Sequence, residues 1–247
     1  MAVVNLADVP WTAVRDMPKD APVVAILPLG VLEAHGPHLP LTTDTIIAEA
    51  MAEAAGDQLD AAGWHVLILP ALSYAAAPFA AAFPGTISVS AEIVTRLVQD
   101  VAAAVVQQGV TCLAVANAHL DPAHRTSLAD ALSESDLPII IPDIARRRHA
   151  SRLGEEFASG ACHAGRFETS IVLAVRPDLV DDTIQETLVA NPASLSTAIA
   201  AGQVTFAEAG GPDAYFGWPA DATPEEGEHL IMTLGEILTE AVLEAYP

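Results

Sequence analysis

Lysine is almost missing from this 247-residue sequence: Lys19 is the only one, and Lys and Arg together number 10 against 32 Asp and Glu. The resulting formal net charge of −22 repels phosphate backbones and anionic lipid headgroups, which argues against nucleic-acid and membrane partners. Cysteine is scarce as well. Cys112 and Cys162 do not make a disulfide framework, and Cys112 sits in an apolar run as a core thiol. No apolar run reaches the length of a membrane span. The first residues lack the basic stretch and apolar run of a secretory signal, so the cytoplasm is the expected compartment. There is no internal repeat and no low-complexity linker. The missing G-x-G-x-x-G and phosphate-loop patterns disfavour a nucleotide-binding fold, and the missing G-x-S-x-G elbow disfavours a serine hydrolase.

What is present is apolar material with few rings. Hydrophobic residues make up 52% of the chain and aromatics only 5%, with alanine carrying much of the difference. That predicts helices packed closely on a sheet around a large core. The acidity reads mainly as solubility, with a small part reserved for metal ligation.

Taken in order, residues 22–28 form a continuous Val- and Ile-rich run of strand length, the pattern of a strand buried on both faces. A helix is predicted over 43–59, with Thr42 or Thr43 as its cap and Asp44 in its first turn. Strands follow at 65–69, 111–116 and 138–141. Helices are predicted at 91–108, capped by Ser90, at 122–132, after the ETS tripeptide at 168–170, and within 192–201. A short helix is expected near 11–16. Thr223, Pro224 and Glu226 form a capping box that starts a final helix ending near Ala245. The alternation predicts a single α/β domain spanning 1–247, a mainly parallel sheet with helices on both faces. In such sheets chemistry collects beyond the carboxyl ends of the strands.

Residues 27–45, LPLGVLEAHGPHLPLTTDT, hold Glu33, His35, His38 and Asp44 on a loop stiffened by Gly36, Pro37 and Pro40. Two-apart residues on an extended loop point to one side, so the E-x-H pair Glu33 and His35 can face one ion. His119 and Asp121 repeat that spacing after a later strand. These five residues, Glu33, His35, Asp44, His119 and Asp121, suffice for two divalent ions with water completing the shells.

The 27–45 block, FPGTISVS at 83–90, NAH at 117–119, HAGRFETS at 163–170 and AYFGWP at 214–219 together resemble the creatininase family of metal-dependent amidohydrolases. The resemblance implies an α/β fold, a binuclear Zn2+ or Mn2+ site (Fe2+ in some settings), a small-molecule amide substrate and a homo-oligomer, commonly a hexamer built from dimers. It implies that Glu33, Asp44 and His119 hold one ion. His35, Asp44 and Asp121 would hold the other, with Asp44 bridging. His163 becomes the candidate for proton transfer, or a hydrogen-bonding support. Glu168 is either a ligand, replacing or joining Asp121, or the carboxylate that orients His163. His38 is expected to support the loop rather than bind metal. His124 reads as an outer support or an exposed group.

Two departures bear on substrate. Creatininases proper have glutamate at the position of Asp121, and they hold their ring substrate with tryptophans that residues 139–162 lack. Creatinine itself is therefore not the expected substrate. Cyclic amides, formamides and related non-peptide C–N bonds fit better, with a degenerate, non-catalytic metal-binding member or an isomerase or lyase as alternatives. Substrate choice is expected to lie in the loops at 73–84, 145–163 and 210–219. The basic cluster Arg146 to Arg152 is read as an oligomer contact or exposed helix face, or else as a site for an anionic substrate group.

Overall fold

The computed structural model describes residues 3–17 and 20–247, so Lys19 lies outside it. Its elements run β1 (Val4–Asn5), α1 (Trp11–Arg15), β2 (Val23–Leu29), α2 (Thr43–Ala61), β3 (His65–Ile68), α3 (Ala91–Gln107), β4 (Cys112–Asn117), α4 (Pro122–Ser133) and β5 (Ile139–Ile140). Then come α5 (Arg147–Ala150), α6 (Glu155–Ser159), α7 (Arg166–Val175), α8 (Asp182–Gln185), α9 (Leu195–Ala200) and α10 (Pro224–Ala245). Among the described residues, five strands form one parallel sheet in the order β1-β3-β2-β4-β5. No described helix is long and apolar enough to cross a membrane.

The central strands are apolar on both sides because both sides are covered. Along β2, Val24 and Ile26 join the core under α2 and α10, with Ile47, Met51, Leu234 and Ile237. Ala25, Leu27 and Leu29 join the opposite core, with Val94 and Val98 of α3 and Leu128 of α4. The alanine-rich composition acts where helices cross. A Cβ at Gly235 on α10 would fall 2.7 Å from the Cβ of Ala54 on α2, so these two backbones approach closely.

Three local expectations fail. Thr42 precedes α2 without a side-chain capping bond, and Thr43 Oγ1 donates to Pro40 O instead of capping. Ser90 precedes α3 in extended conformation, but its side chain makes no capping bond. The box before α10 is half made: Thr223 Oγ1 accepts from the Glu226 N–H at 3.2 Å, while the Thr223 N–H donates to Ser170 Oγ. Glu226 pairs instead with Arg166 at 3.1 Å. The sequence pattern also misses β1, α5, α6 and α8, which are at most five residues long.

The topology places the site. From β2 the chain crosses one face by α2 to β3, then the other face by α3 to β4, so β2 and β4 are neighbours whose crossovers diverge. Leu29 pairs with Asn117, and the loops after these two residues leave the sheet side by side at the switch point. Gly30 then turns under the first turn of α2, where a Cβ would lie 2.6 Å from the Asp44 carbonyl carbon. Gly30→Ala should therefore push α2 off its strand and cost about 1–3 kcal/mol, the scale of overpacking. Urea unfolding checks this; an unchanged midpoint would show that the Gly30 contact is slack.

Candidate metal centre

Glu33 and His35 lie on the loop after β2, Asp44 in the first turn of α2, His119 after β4, and His163 and Glu168 around the start of α7. All six are buried. Each imidazole of this group has one nitrogen against a backbone carbonyl, which only accepts, so that nitrogen carries the proton. His35 Nδ1 donates to Glu33 O at 3.1 Å, His119 Nε2 to Ala76 O at 2.9 Å, and His163 Nε2 to Ala34 O at 3.0 Å. In the neutral rings the other three nitrogens are bare, and they face carboxylates. His119 Nδ1 lies 3.0 Å from Asp44 Oδ2 and 3.2 Å from Glu33 Oε1. His35 Nε2 lies 3.4 Å from Asp44 Oδ1 and 3.5 Å from Glu168 Oε2. His163 Nδ1 is 3.9 Å from Glu33 Oε1.

Bare lone pairs and carboxylates do not converge in a buried space without cations between them. Glu33 Oε2, His35 Nε2 and Asp44 Oδ2 are buried with no hydrogen-bond partner among the described residues. The donor set of carboxylate oxygens and imidazole nitrogens suits a divalent ion of the zinc or manganese kind. Three groups of three converge well enough to hold one: Glu33, Asp44 and His119; His35, Asp44 and Glu168; and Glu33, His35 and His163. Asp44 serves the first two with different oxygens.

Protons are the other cations available. Burial alone would lower His35, but Asp44, Glu168 and Glu33 outweigh it and push the imidazole up to about 10. His119 is likewise raised, against burial, by Glu33 and Asp44. Glu168 is pushed up to about 8, by burial first and by Asp44 and Glu33 after it, with His35 pulling the other way. Burial, helped by the neighbouring His35, holds His163 well below the ordinary range.

Asp121 is placed differently from its expected role. It caps α4, with Oδ1 accepting from Ala123 N–H at 2.8 Å and Oδ2 from Phe79 N–H at 3.1 Å. It joins none of the convergent groups, and Glu168 stands with His35 and Asp44 instead. The residue spacing H-x-D could not distinguish a ligand from a cap, because Asp before Pro122 also suits a helix start. His38 Nε2 bonds Thr169 Oγ1 at 2.9 Å, joining the HGPH loop to α7. His124 is buried and bonds Asn117 Oδ1 at 2.8 Å, while Asn117 Nδ2 donates to His119 O, so this pair braces the His119 loop.

Glu156 carries no sequence signal, yet it ties the site together. Its Oε2 accepts from Arg166 N–H and Trp218 N–H at 2.8 and 2.7 Å, and its Oε1 from Phe167 N–H at 2.8 Å. This fixes the start of α7, and with it Glu168, against the 214–219 loop. That loop in turn bonds both the metal-centre loops: Gly36 N–H donates to Ala214 O, and Phe216 N–H to His163 O. Ala164, next to His163, stands at φ +49, a left-handed conformation costing about 1 kcal/mol that the bond from its N–H to Glu168 helps to hold.

A cavity of about 170 Å³ opens on the cluster. Phe79 and residues 145–163 contribute to its wall, as expected of those loops. The 210–219 loop does not line it; Leu195, Ser196, Ile199 and Phe206 do, from a stretch whose sequence predicted only a short helix. Phe206 lies over His163 with ring centroids 4.2 Å apart. The basic cluster is elsewhere: Arg152 pairs with Glu240 and Glu236, and Arg148 with Glu244, all on α10.

A parallel α/β sheet carrying buried carboxylates and imidazoles at its switch point makes a candidate metal centre. Comparison with known proteins agrees with this reading. A family model described as Creatininase: Creatinine amidohydrolase matches residues 7–242. A "mycofactocin precursor peptide peptidase" of Mycolicibacterium smegmatis is 28% identical over 227 residues, covering 87% of this chain and 82% of its own. A solved mutant creatininase complexed with creatine superposes with a TM-score of 0.75 at 23% identity, covering all of both chains. Another solved structure, described as "Creatininase Mn", gives 0.70 at 22% identity with the same coverage. The chain belongs to the creatininase family.

Two outcomes follow from the geometry. In metal-free protein, His35 rises from an ordinary 6.5 to about 10 and Glu168 from 4.5 to about 8 on folding. Raised groups contribute stability that is full below the unfolded value and lost as pH climbs through the folded one. The melting temperature of metal-free protein should fall from pH 7 to 10, whereas Mn2+-loaded protein should change far less; a metal-free melting temperature that holds or rises would contradict the cluster's electrostatics. Glu156→Gln should cost about 2 kcal/mol in urea unfolding, since a neutral amide replaces an ionised acceptor of three N–H groups. A loss below a few tenths would show that the three bonds are not held by charge.

Proposed function

We propose that this protein is a binuclear metal-dependent amidohydrolase. The observation that carries this reading is the set of three buried carboxylates facing three bare imidazole nitrogens, open to a cavity with an apolar wall. In this reading Glu33, Asp44 and His119 hold one ion, and His35, Asp44 and Glu168 hold the second. Asp44 gives one oxygen to each. Asp121 shapes the loop as a helix cap. Zn2+ and Mn2+ suit these donors, and solved creatininases described as holding manganese and zinc support the same choice.

When bound, two divalent ions would supply Lewis acidity toward a carbonyl and lower the pKa of a shared water. The chain's own residues do the rest. His163 keeps Nδ1 unprotonated because its Nε2–H is fixed on Ala34 O, so Nδ1 is free to take a proton from the attacking water. It then returns that proton to the leaving nitrogen, general acid–base help worth roughly two to four decades in rate. Phe206 and His35, with ring centroids 4.2 and 4.4 Å from that of His163, restrict the imidazole to this orientation. Peptide-cleaving relatives bring peptides into the substrate class beside lactams and formamides. The reading includes one catalytic domain and a homo-oligomer, for which the exposed Ile93 and Leu97 on one face of α3 offer a contact.

The test is a panel of lactams, formamides and short peptides, assayed with Mn2+ or Zn2+ and after chelation. Hydrolysis should appear with metal and vanish on its removal. His163→Ala should lower kcat by two to four decades with metal content unchanged. Glu168→Gln should lose one ion per chain, while Asp121→Asn keeps both. Loss of an ion from Asp121→Asn together with full metal in Glu168→Gln would reverse the assignment.

A further inference from the structure

One charge in the cavity is not explained by metal binding or proton transfer. Arg125 is the one Lys or Arg among the residues that line it, and beyond the metal-centre cluster the lining is mainly apolar, with Phe79, Leu120, Phe157, Leu195, Ile199 and Phe206. The side chain is 45% exposed, and Nη2 donates to Asp143 Oδ2 at 2.9 Å. Among the described residues no other group accepts from its guanidinium, so Nε and Nη1 remain available. Arg125 is also firmly placed. It lies one turn along α4 from the Asp121 cap, and its backbone N–H bonds Asp121 O at 2.9 Å. His119, before the helix, and Arg125, one turn into it, both line the cavity.

We infer that the cavity takes amides whose amine portion is an apolar amino acid with a free carboxylate, Arg125 pairing with that carboxylate while the apolar wall takes the side chain. This rests on the hydrolase reading above and narrows its substrate class. A planar guanidinium with two open donors matches a carboxylate, whereas a neutral cyclic amide makes no use of it. In a chain of net charge −22, a cation kept at the wall of an acidic site selects for a negative ligand group. The reaction is addition of water across the C–N bond: the acyl carbon gains the oxygen, the nitrogen gains the proton, and the free amino acid leaves.

The probes are N-acetylleucine and its decarboxylated counterpart N-(3-methylbutyl)acetamide, which share the amide and the side chain and differ only in the carboxylate. On the full Mn2+-loaded protein, kcat/KM should favour N-acetylleucine by tenfold or more. Arg125→Gln should shrink that preference to within about threefold, acting through KM with kcat nearly unchanged, and Arg125→Lys should restore part of it. Equilibrium titration of the same two compounds gives the preference without turnover. If neither is hydrolysed but N-acetylleucine still binds preferentially through Arg125, the carboxylate subsite stands and the hydrolase reading fails. Equal binding and equal turnover of the two compounds, or a preference that survives Arg125→Gln, overturns the inference.

Discussion

Three carboxylates crowd three imidazole nitrogens in a space from which water is largely excluded, and that repulsion is the constraint on which the rest of the structure depends. Glu33, Asp44 and Glu168 meet His35, His119 and His163 with nitrogen–oxygen separations of 3.0 to 3.9 Å. Carboxylate charges and bare nitrogen lone pairs at such range in a low dielectric repel unless the scaffold holds them or a cation, metal or proton, joins them. The scaffold does hold them. Gly30 lets α2 press its first turn onto the end of β2, the His124–Asn117 pair braces the His119 loop, and Glu156 ties α7 to the 214–219 loop. Asn117 and Glu156 hold backbone groups of the site loops, and the six site residues face inward.

The same arrangement divides the labour of the cavity. One end is polar and suited to cations. The other is lined by phenylalanine, leucine and isoleucine from four separate stretches of chain, although aromatics are only 5% of the sequence. Three of the chain's six phenylalanines, Phe79, Phe157 and Phe206, are placed there. Phe206 is both wall and restraint, since it covers His163. Phe206, backed by Phe79 at a ring-centroid distance of 6.0 Å, shields the imidazole from water at the position where a proton would move.

The sheet was legible in the sequence because β2 and β4 are fully buried and so read as unbroken apolar runs, and because α2, α3 and α10 are long. Glu33, His35 and Asp44 were legible because they fall close together on one loop at a strand end. The part played by Asp121 was not, since an aspartate before proline is as good a cap as a ligand, and its acceptance of the Phe79 and Ala123 N–H groups leaves no residue-type signature. Glu156 was hidden because its three partners lie 10, 11 and 62 residues away and are backbone groups, which leave no residue-type signature. The wall at 195–206 was hidden for a related reason: its Leu, Ile and Phe look like ordinary loop and short-helix residues until folding brings them over His163. Resemblance among motifs reached the metal centre but not the wall.

The most direct measurement is the anomalous scattering map of crystals grown with Mn2+. The account predicts two peaks per chain, one within bonding distance of Glu33, Asp44 and His119 and one of His35, Asp44 and Glu168, with the Asp121 carboxylate still on its N–H donors. A map with no peak among these residues, or with a peak held by Asp121 in place of Glu168, would contradict it.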